Sequence, residues 1–365
     1  MAAFTEWLKR IYIKLLLGIN CVCAGLLLLT YLAPFVPPTW FYPLAVLALG
    51  YPFLVLFNIL FIIWWLYQRN RAVYISLATL AIGFMFLINF LGLNISSHAT
   101  PEDAVKVVSY NVRYFNAPLV ADEAKRKEQA QAILDDIGTA QPLIFCGQEF
   151  SAKTSPETAY AFQYLKDQLG LKYVHRGGGS SLAICSKYPI KNTARLDFEG
   201  TYNGAIYADI QLPNKMVRVY SIHLQSTGLG HDADEVLKKK NITSLNDKNT
   251  QAKYQRIGSK LKNAFIKRTE QARAIAKSIK ECPHEVIVCG DMNDTPMSYA
   301  YHTIVKGLKD SFYEKGRGIG STYAGKLPAL RIDYILTSST IDVYSHQVLS
   351  KTLSDHYAVT ADIGL

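Results

Sequence analysis

Three long apolar runs open the chain, and a segment of ordinary polar composition follows them. The runs cover residues 15–36, 40–67 and 72–93, and only six charged residues occur in residues 1–95. Each run reaches the roughly 20 residues that a helix needs to cross the hydrocarbon core of a bilayer. Helices of a soluble core usually carry a polar face, which these runs lack. The pattern predicts an all-α transmembrane segment of three helices within residues 1–95.

The few basic residues predict the orientation of this segment. Lys9, Arg10 and Lys14 flank the first run, and the loop between the second and third runs reads QRNR at residues 68–71. The connection between the first two runs has no charge. Because basic loops stay on the cytoplasmic side, we expect a cytoplasmic N-terminus and, after three crossings, an extracytoplasmic domain. The expected location is a bacterial inner membrane with the domain on the periplasmic side.

Beyond a polar linker at residues 96–103, the hydrophobic pattern changes to short runs typical of strands. These runs read VKVVSYNV, LIFCGQEF, SLAICSKY, AIYADIQL, VRVYSIHL, EVIVCGDM, RIDYILTS and YAVTADIGL. Helical spacing appears at residues 122–137, 158–170 and 250–281, the last of which we expect to dock on a sheet face after a long loop at 226–250. Many strands with interspersed helices predict an α+β layered sandwich over residues 104–365.

Charge is also unevenly distributed. The formal net charge is +10; five basic residues and one acidic residue give the first 95 residues +4, which leaves +6 on the domain. Much of that excess lies between the KKK triplet at residues 238–240 and Lys280. A basic surface suits phosphate, anionic lipid or nucleic acid, and a solvated face of a helical insertion explains the run equally well. The six cysteines lack the paired spacing of a disulfide framework or zinc site.

Residues able to bind cations or move protons stand where many of the strand-like runs end or begin. They are Asn111, Glu149, His223, Asp291 with Asn293, Asp333, and Asp355 with His356. Singly, an Asn or Asp at a strand end is ordinary turn chemistry. Together they form an ordered series, and a rigid sheet fixes reactive groups better than a mobile loop does.

The order N…E…H…GD-x-N…ID…SDH resembles the endonuclease/exonuclease/phosphatase superfamily, which includes deoxyribonuclease I and the neutral sphingomyelinases. The most specific parts are GD-x-N after an apolar strand, SDH before the last strand, and the Glu of GQE. The resemblance covers residues 104–365. It implies a four-layer α/β/β/α sandwich of the deoxyribonuclease I type, with the site at one edge of two packed sheets.

The resemblance further implies hydrolysis of a phosphodiester by in-line attack of water with a divalent metal ion. Mg²⁺ is the expected ion and Mn²⁺ the alternative, since hard cations are held by carboxylate and amide oxygens. Glu149 is the expected metal ligand, and Asn111 contributes its side-chain carbonyl oxygen. Asp355 joins them or supplies a second metal position.

Two assignments of the general base stay open. In one, Asp291 takes the proton from water while Asn293 holds the water or phosphate. In the other, His356 is the base and Asp333 orients its ring. We favour Asp291, which leaves His356 as a donor facing the phosphate and His223 as a donor to a non-bridging oxygen.

Three further residues are candidates for substrate binding. Arg113 stands where several nuclease relatives carry an acidic metal-site residue, so it either contacts the substrate phosphate or pairs with a neighbouring carboxylate. Tyr323, in STYAG, either reaches the phosphate or packs. Asn203 either faces the site or forms a turn.

The expected substrate is a membrane-associated phosphoester, with a lipid headgroup favoured because a tether of about ten residues at 94–103 would hold the site near the bilayer. The first alternative is a membrane-anchored nuclease whose basic stretch follows a nucleic-acid backbone. The second is a catalytically inactive receptor or scaffold that keeps only the fold. No protein partner is predicted.

Overall fold

A computed structural model of the chain describes residues 2–94, 99–150, 155–228, 248–325 and 330–365. Part of the predicted linker, most of the loop predicted at 226–250 and the basic triplet at 238–240 lie outside the described residues. The helices are α1 Ala2–Thr30, α2 Pro38–Leu49, α3 Tyr51–Tyr67, α4 Val73–Ile82, α5 Phe84–Phe90, α6 Glu123–Thr139, α7 Pro156–Asp167, α8 Lys248–Lys280, α9 Tyr299–Val305 and α10 Ser311–Lys315. The strands are β1 Gly92–Leu93, β2 Val105–Asn111, β3 Ile144–Gln148, β4 Tyr173–Arg176, β5 Ala183–Ser186, β6 Ile190–Leu196, β7 Gly204–Gln211, β8 Met216–His223, β9 Glu285–Asp291, β10 Leu308–Asp310, β11 Arg317–Gly318, β12 Asp333–Ser338, β13 Asp342–Val348 and β14 Val359–Gly364.

The apolar runs are helical, but only the first forms one continuous helix. Within α1, residues Phe4–Thr30 are long and apolar enough to cross a membrane. The second run divides into α2 and α3, bent by 51°, and the third into α4 and α5, bent by 71°. By length and composition the described chain therefore offers one span, or up to three if each bent pair counts as one. The bounds also differ from prediction, because α1 begins well before residue 15 and α5 ends at Phe90.

Glycine and proline account for the bends. Gly50 separates α2 from α3, and Pro52 at the start of α3 has no N–H to continue the preceding helix. Gly83 separates α4 from α5 where α1 comes close, since an added Cβ at that position would lie 1.9 Å from Cζ of Tyr31. A side chain at Gly83 would require the ring of Tyr31, the residue after α1, to move.

Residues 105–365 build two six-stranded sheets that face each other. The first sheet has the order β13-β14-β2-β3-β5-β4 and the second β10-β12-β9-β8-β7-β6. Apolar side chains from the inner faces of both sheets, such as Cys146, Val219 and Ile287, form the core between them. The predicted layered sandwich is confirmed.

Helices cover both outer faces of the sandwich. Ile133 of α6 and Leu165 of α7 pack on the first sheet, while Ile275 of α8 and Ile304 of α9 pack on the second. The predicted docking of the basic helix on a sheet face is therefore confirmed. The order of layers is helix, sheet, sheet, helix.

Strand direction brings the predicted site residues to one edge of the sandwich. The parallel pairs β2–β3 and β8–β9 both end at this edge. Strands β14 and β12 run antiparallel to β2 and β9, so their N-terminal ends lie there too. We refer to this edge as the strand-end edge. The topology explains why residues far apart in sequence meet.

Residues of the domain contact the helical segment directly. Arg331 donates to the carbonyl oxygen of Asn89 near the end of α5, at 2.8 Å. The short strands β1 and β11 pair, so residues 92–93, predicted to end a span, instead form a ribbon with the domain. Met297 is buried among apolar side chains of α1, α2 and α3. These contacts fix the domain relative to the helices.

Gly290 is the position where the fold of the site is most constrained. Its φ of +143° is unfavourable for other residues, and an added Cβ would lie 2.0 Å from the carbonyl oxygen of Ile222 on β8. We expect Gly290→Ala to lower the free energy of unfolding of the full chain by about 3 kcal/mol or more, measured by thermal and urea unfolding in detergent. Gly258→Ala is the matched control, because Gly258 lies in α8 with no atom near the added Cβ, and it should stabilise by roughly 0.5–1 kcal/mol. Equal melting of Gly290→Ala and the unaltered chain would contradict the close approach of β8 and β9.

Candidate active site

Asp291 is the centre of the strand-end edge. It is the last residue of β9 and is almost completely buried. Its Oδ1 accepts the backbone N–H of Asn293 at 2.7 Å. Its Oδ2 accepts the side-chain amides of Asn111 at 3.1 Å and Asn293 at 3.3 Å. Asn111 belongs to the first sheet and Asp291 to the second, so this carboxylate ties the two sheets together.

Two histidines approach the same carboxylate, His223 from the second sheet and His356 from the first. His223 lies beside Asp291 in the β8–β9 ladder, and its Nε2 is 3.6 Å from Oδ2 of Asp291 and 3.9 Å from Oε1 of Glu149. Nε2 of His356 is 3.7 Å from Oδ2 of Asp291. Burial raises the pKa of Asp291, with help from the neighbouring Asp333, although both imidazoles oppose the shift. A carboxylate with a raised pKa accepts a proton more readily than one in water.

Asp333 and His356 form a buried hydrogen-bonded pair next to Asp291. Nδ1 of His356 lies 2.9 Å from Oδ2 of Asp333. The hydroxyl of Thr322 accepts the backbone N–H groups of Ile332 and Asp333, which fixes the start of β12. Burial alone would lower the pKa of His356, but the carboxylates of Asp333 and Asp291 outweigh it and raise the pKa to about 10. The ring is therefore an imidazolium at neutral pH.

Glu149 follows β3 and is the most accessible carboxylate next to His223. Its backbone carbonyl accepts the N–H of Tyr114 at 2.7 Å, and its side chain keeps 25% of its surface exposed. Among the residues that the structure describes, none donates a hydrogen bond to its carboxylate. Burial raises the pKa of Glu149, and the Asp291 and Asp355 carboxylates add to the effect. A desolvated carboxylate without donors fits a bound cation.

The group of potential ligands that lie closest together fits a cation less well. One ligand atom each from Asp291, Asp333 and His356 lies within 4.8 Å of the others. However, Nδ1 of His356 is already engaged by Asp333, which leaves only its Nε2 for a cation. We assign these three residues to a proton-holding network, and Glu149 remains the best single position for a metal ligand.

Left-handed backbone conformations mark the same region. Arg113, Glu149 and Asn293 have φ values of 48°, 47° and 50°. Such conformations are uncommon for residues other than glycine and cost of order 1 kcal/mol or more each. All three follow a strand closely, and the turn after each strand directs the next side chain across the strand-end edge. The surrounding hydrogen bonds hold these turns in place.

The other two predicted metal ligands are engaged with neighbouring residues. The amide of Asn111 donates to Asp291, and its carbonyl oxygen accepts the backbone N–H of Arg113 at 3.1 Å. Oδ2 of Asp355 lies 3.2 Å from Nε of Arg113. Arg113 thus follows the alternative in which it pairs with a carboxylate, while its side chain is 41% exposed and remains on the rim of the site.

The predicted substrate-binding residues Asn203 and Tyr323 also have local partners. Asn203 donates its amide to the carbonyl oxygen of Leu224, as Asn293 does, so it supports the end of β8. Tyr323 pairs with His356 through an isolated bridge, and their rings meet edge to face with centroids 5.4 Å apart. Tyr323 therefore forms a wall of the site, whereas Asn203 lies behind it.

Sequence reasoning missed several residues that position the site. Ser354 donates to the carbonyl oxygen of Asn111 at 2.9 Å and links the SDH segment to β2. Thr322 fixes Asp333, as described above. Gln148, buried beneath Glu149, donates to serine hydroxyls of both sheets. Ser354, Thr322 and Gln148 lie in the motifs SDH, STYAG and GQE, which were already noted in the sequence. Their position next to candidate site residues was the only sequence feature that could have indicated a role for them.

Comparisons with known proteins agree with this geometry. Residues 108–356 match the Endonuclease/Exonuclease/phosphatase family, and residues 13–90 match a domain of unknown function, DUF8431. Comparison with curated proteins finds no match.

Solved structures of similar fold cover the domain at low identity. A Bacteroides thetaiotaomicron endonuclease/exonuclease/phosphatase family protein is 16% identical with a TM-score of 0.49, covering 73% of this chain and 98% of that one. Humanized D. rerio TDP2 is 17% identical with a TM-score of 0.49, covering 72% of this chain and 99% of that one. Sphingomyelinase C from Streptomyces griseocarneus is 16% identical with a TM-score of 0.47, and the match covers 72% of this chain and 99% of that one.

Similarities this distant carry no argument about a substrate. The family match, by contrast, spans more than half of the chain, and its residues 108–356 run from β2 to His356 of the strand-end edge. The chain belongs to the Endonuclease/Exonuclease/phosphatase family.

Proposed function

We propose that the chain is a membrane-anchored, metal-dependent phosphoesterase that hydrolyses a phosphodiester of a lipid headgroup by in-line attack of water. Residues 104–365 are the catalytic domain. The observation that carries the proposal is the convergence of Glu149, His223, Asp291 and the Asp333–His356 pair at one edge. Members of the family are hydrolases that act on phosphoester bonds and generally use divalent metals, so the residue types and the family agree.

Asp291 is the general base in this proposal. Its raised pKa makes it a stronger base than a carboxylate in water, and the backbone N–H of Asn293 is bonded to one of its oxygens at 2.7 Å. The carboxylates of Asp333 and Asp291 raise the pKa of His356 to about 10, which favours its protonated form, and that form has no free nitrogen to accept a proton. Of the two assignments open from the sequence, the directions of these pKa shifts favour Asp291.

The two histidines then serve as donors to the phosphate. Nε2 of His356 faces Asp291 at 3.7 Å and carries a proton, while Nδ1 is held by Asp333. Nε2 of His223 lies between Glu149 and Asp291. Donors placed where negative charge develops stabilise the transition state of phosphoryl transfer. Tyr323 keeps the His356 ring in place from one side.

Glu149 would hold the metal, with Asn111 and Asp355 nearby as supporting ligands. When bound, a divalent cation supplies positive charge to the phosphate oxygens and open positions for water. Mg²⁺ is the proposed ion and Mn²⁺ its alternative, because the available ligands are oxygen atoms. The Arg113–Asp355 ion pair favours a single metal position at Glu149.

The position of the site supports a lipid substrate. The loop that follows Asn293 carries Met297 into the apolar cluster of the helical segment, where it lies with Tyr31 and Phe90. The strand-end edge is therefore close to the helices that contact lipid. The basic helix α8 also faces this segment, since Nζ of Lys262 lies 5.4 Å from the ring centroid of Tyr42. This contact favours the membrane over nucleic acid as the neighbour of α8.

The packing of the helices supports three crossings. Tyr12 of α1 contacts Trp64 near the end of α3, whereas Tyr31 after α1 contacts Tyr51 at the start of α3, so the first two runs are antiparallel. Tyr31 also stacks on Phe86 of α5, which returns the third run to the side of the domain. With the basic residues on the other side, this arrangement supports a cytoplasmic N-terminus and an extracytoplasmic, periplasmic domain.

Two substitutions separate the roles of base and metal ligand. In full-length protein assayed with Mg²⁺ on phosphocholine-lipid vesicles, a soluble phosphodiester and plasmid DNA, Asp291→Asn should lower kcat by about 10²–10⁴-fold. Glu149→Gln should raise the Mg²⁺ concentration needed for half-maximal rate by about 10–100-fold. Glu128→Gln, on the exposed face of α6, is the control and should change neither quantity.

The substrate panel decides between the alternatives. Lipid cleavage that EDTA abolishes supports the proposal. Nicking of DNA without lipid turnover would replace it with the nuclease, and no turnover on any substrate would replace it with the inactive receptor or scaffold. Unchanged Mg²⁺ dependence in Glu149→Gln would remove Glu149 from the metal site.

The charge of His356 should depend on Asp333. In metal-free protein, we expect Asp333→Asn to lower the pKa of His356 from about 10, because the carboxylate that stabilises the imidazolium is lost. Histidine ¹⁵N NMR over pH 5–10 measures the shift, with Asp362→Asn on β14 as the control carboxylate. A His356 resonance that titrates identically in both variants would show that Asp333 does not set this charge.

The same raised pKa links His356 to stability. Because the folded pKa of about 10 exceeds the ordinary value of 6.5, the stabilisation is fully present below pH 6.5. It is lost as the pH rises through about 10.

The proposed topology is tested by proteolysis of spheroplasts from a bacterial host that produces the chain. We expect protease added outside to degrade residues 104–365 and to spare tags placed at the N-terminus and in the loop at 68–71, because the basic residues retain both on the cytoplasmic side. Detergent should expose every tag. Cleavage of the N-terminal tag in intact spheroplasts would reverse the orientation.

A further inference from the structure

A second cavity lies beside the ribbon of β1 and β11 and shares no residue with the active site described above. It has a volume of about 720 Å³ and lies between α10, β11 and β13. Its walls include Thr100, Lys315, Arg317, Ser321 and Ser345. We refer to it as the ribbon cleft.

The lining of the ribbon cleft suits a phosphate group. Lys315 and Arg317 are basic, and no carboxylate occurs among the described residues that line the cleft. The hydroxyl of Thr100 supplies a further donor, whereas those of Ser321 and Ser345 already donate to the oxygens of Leu330 and Asp362. Guanidinium, ammonium and hydroxyl donors together are the groups that proteins use to bind phosphate oxygens.

A buried carboxylate behind this wall is already compensated. Asp362 accepts the hydroxyl of Ser345 at 2.5 Å and pairs with Lys106 at 3.3 Å. His346 also lines the cleft, with Nδ1 engaged by the hydroxyl of Ser311 at 2.8 Å. Its enclosed Nε2 has no hydrogen-bond partner among the described residues, so this wall contains a buried polar atom whose hydrogen bond is not satisfied.

The cleft lies where the chain leaves the helical segment. Arg317 and Gly318 pair with Leu93 and Gly92, only a few residues beyond the end of α5. The side-chain amide of Asn94 donates to the carbonyl oxygens of Tyr313 and Gly316, at 3.1 and 3.2 Å. The wall that carries the basic residues is thus bonded directly to the exit of the apolar segment.

Apolar side chains on the same ribbon point to a membrane surface. Leu93 is 62% exposed and Ile319 49% exposed, and both flank the basic residues of the cleft. Exposed apolar groups beside cationic groups are typical of surfaces that lie in the headgroup region of a bilayer. A cleft for free phosphate would need no such neighbours.

We propose that the ribbon cleft binds the phosphate of an anionic lipid headgroup, as an accessory site distinct from the catalytic one. The proposal rests on the membrane anchoring proposed above, but not on catalysis. Lys315 and Arg317 contact the phosphate, and Leu93 and Ile319 insert beside the lipid. The bound lipid joins the exit of the helical segment to the domain through one headgroup.

Occupancy of the cleft also reaches the active site. Ser321 immediately precedes Thr322, which fixes the start of β12 at Asp333, and Tyr323, which bridges His356. A headgroup held against Ser321 therefore steadies the segment that orients the Asp333–His356 pair.

Binding is measured on full-length, metal-free protein in detergent, where no turnover takes place. The probe is short-chain phosphatidylglycerol, titrated by calorimetry or native mass spectrometry. The double variant Lys315→Ala/Arg317→Ala should bind it about tenfold or more weakly. The control Lys172→Ala/Lys191→Ala removes the same charge from exposed positions elsewhere and should bind as the unaltered protein does.

Each outcome decides the proposal. If both double variants weaken phosphatidylglycerol binding equally, the effect is general charge attraction, and the proposed lipid site in the ribbon cleft is wrong. Competition by inorganic phosphate at the same concentration as the lipid would assign the cleft to free phosphate instead. Unchanged circular dichroism is required of both variants, and Arg317→Lys should retain part of the affinity if the fold is intact.

The test is independent of the proposed chemistry. Asp291→Asn should bind phosphatidylglycerol as the unaltered protein does, because Asp291 does not line the cleft. Binding without hydrolysis on any substrate would leave the ribbon cleft standing while the proposed phosphoesterase failed. Hydrolysis without cleft-dependent binding would support the proposed phosphoesterase and overturn the lipid site in the ribbon cleft.

Discussion

The burial of the Asp291 carboxylate is the constraint around which the site is arranged. A carboxylate removed from water costs several kcal/mol unless donors or positive charge replace the lost hydration. Asn111 supplies a donor from the first sheet, Asn293 supplies two, and the imidazolium of His356 supplies charge. Because these groups come from different strands of both sheets, compensating one charge fixes how the sheets meet at the strand-end edge.

The interior of the fold could be predicted from the sequence, and its margins could not. All the strand-like runs recognised in the sequence are interior strands of the two sheets, whereas the edge strands β4, β6, β10 and β13 were missed. An interior strand is apolar because both of its neighbours and both of its faces exclude water. An edge strand such as β6, with a largely exposed face, carries no such pattern, and polar residues there protect the sheet from further pairing.

The residue types of the site were also predictable, but their partners were not. A sequence shows that an Asp or Arg stands at a strand end, and it does not show which charges meet after folding. Arg113 was open between phosphate and carboxylate, and the structure pairs it with Asp355. The docking of Met297 and Arg331 on the helical segment could not be predicted either, because contacts made by single residues far apart in sequence produce no periodic pattern. The bends coincide with Gly50 and Gly83, but a single glycine in an apolar run does not by itself show that the helix stops there.

The bond from Arg331 to Asn89 and the ribbon of β1 and β11 together have a kinetic consequence. A domain on a free tether samples many heights and directions, so a substrate in another membrane or in solution falls within its reach. A docked domain samples one height, and the lipid substrate proposed above would reach it by lateral diffusion within the same leaflet. Its working concentration is then the mole fraction of that lipid in the surface, which stays the same when the suspension is diluted. For the proposed lipid substrate, the contacts between the domain and the helices would thus select the leaflet before any residue of the active site selects the headgroup.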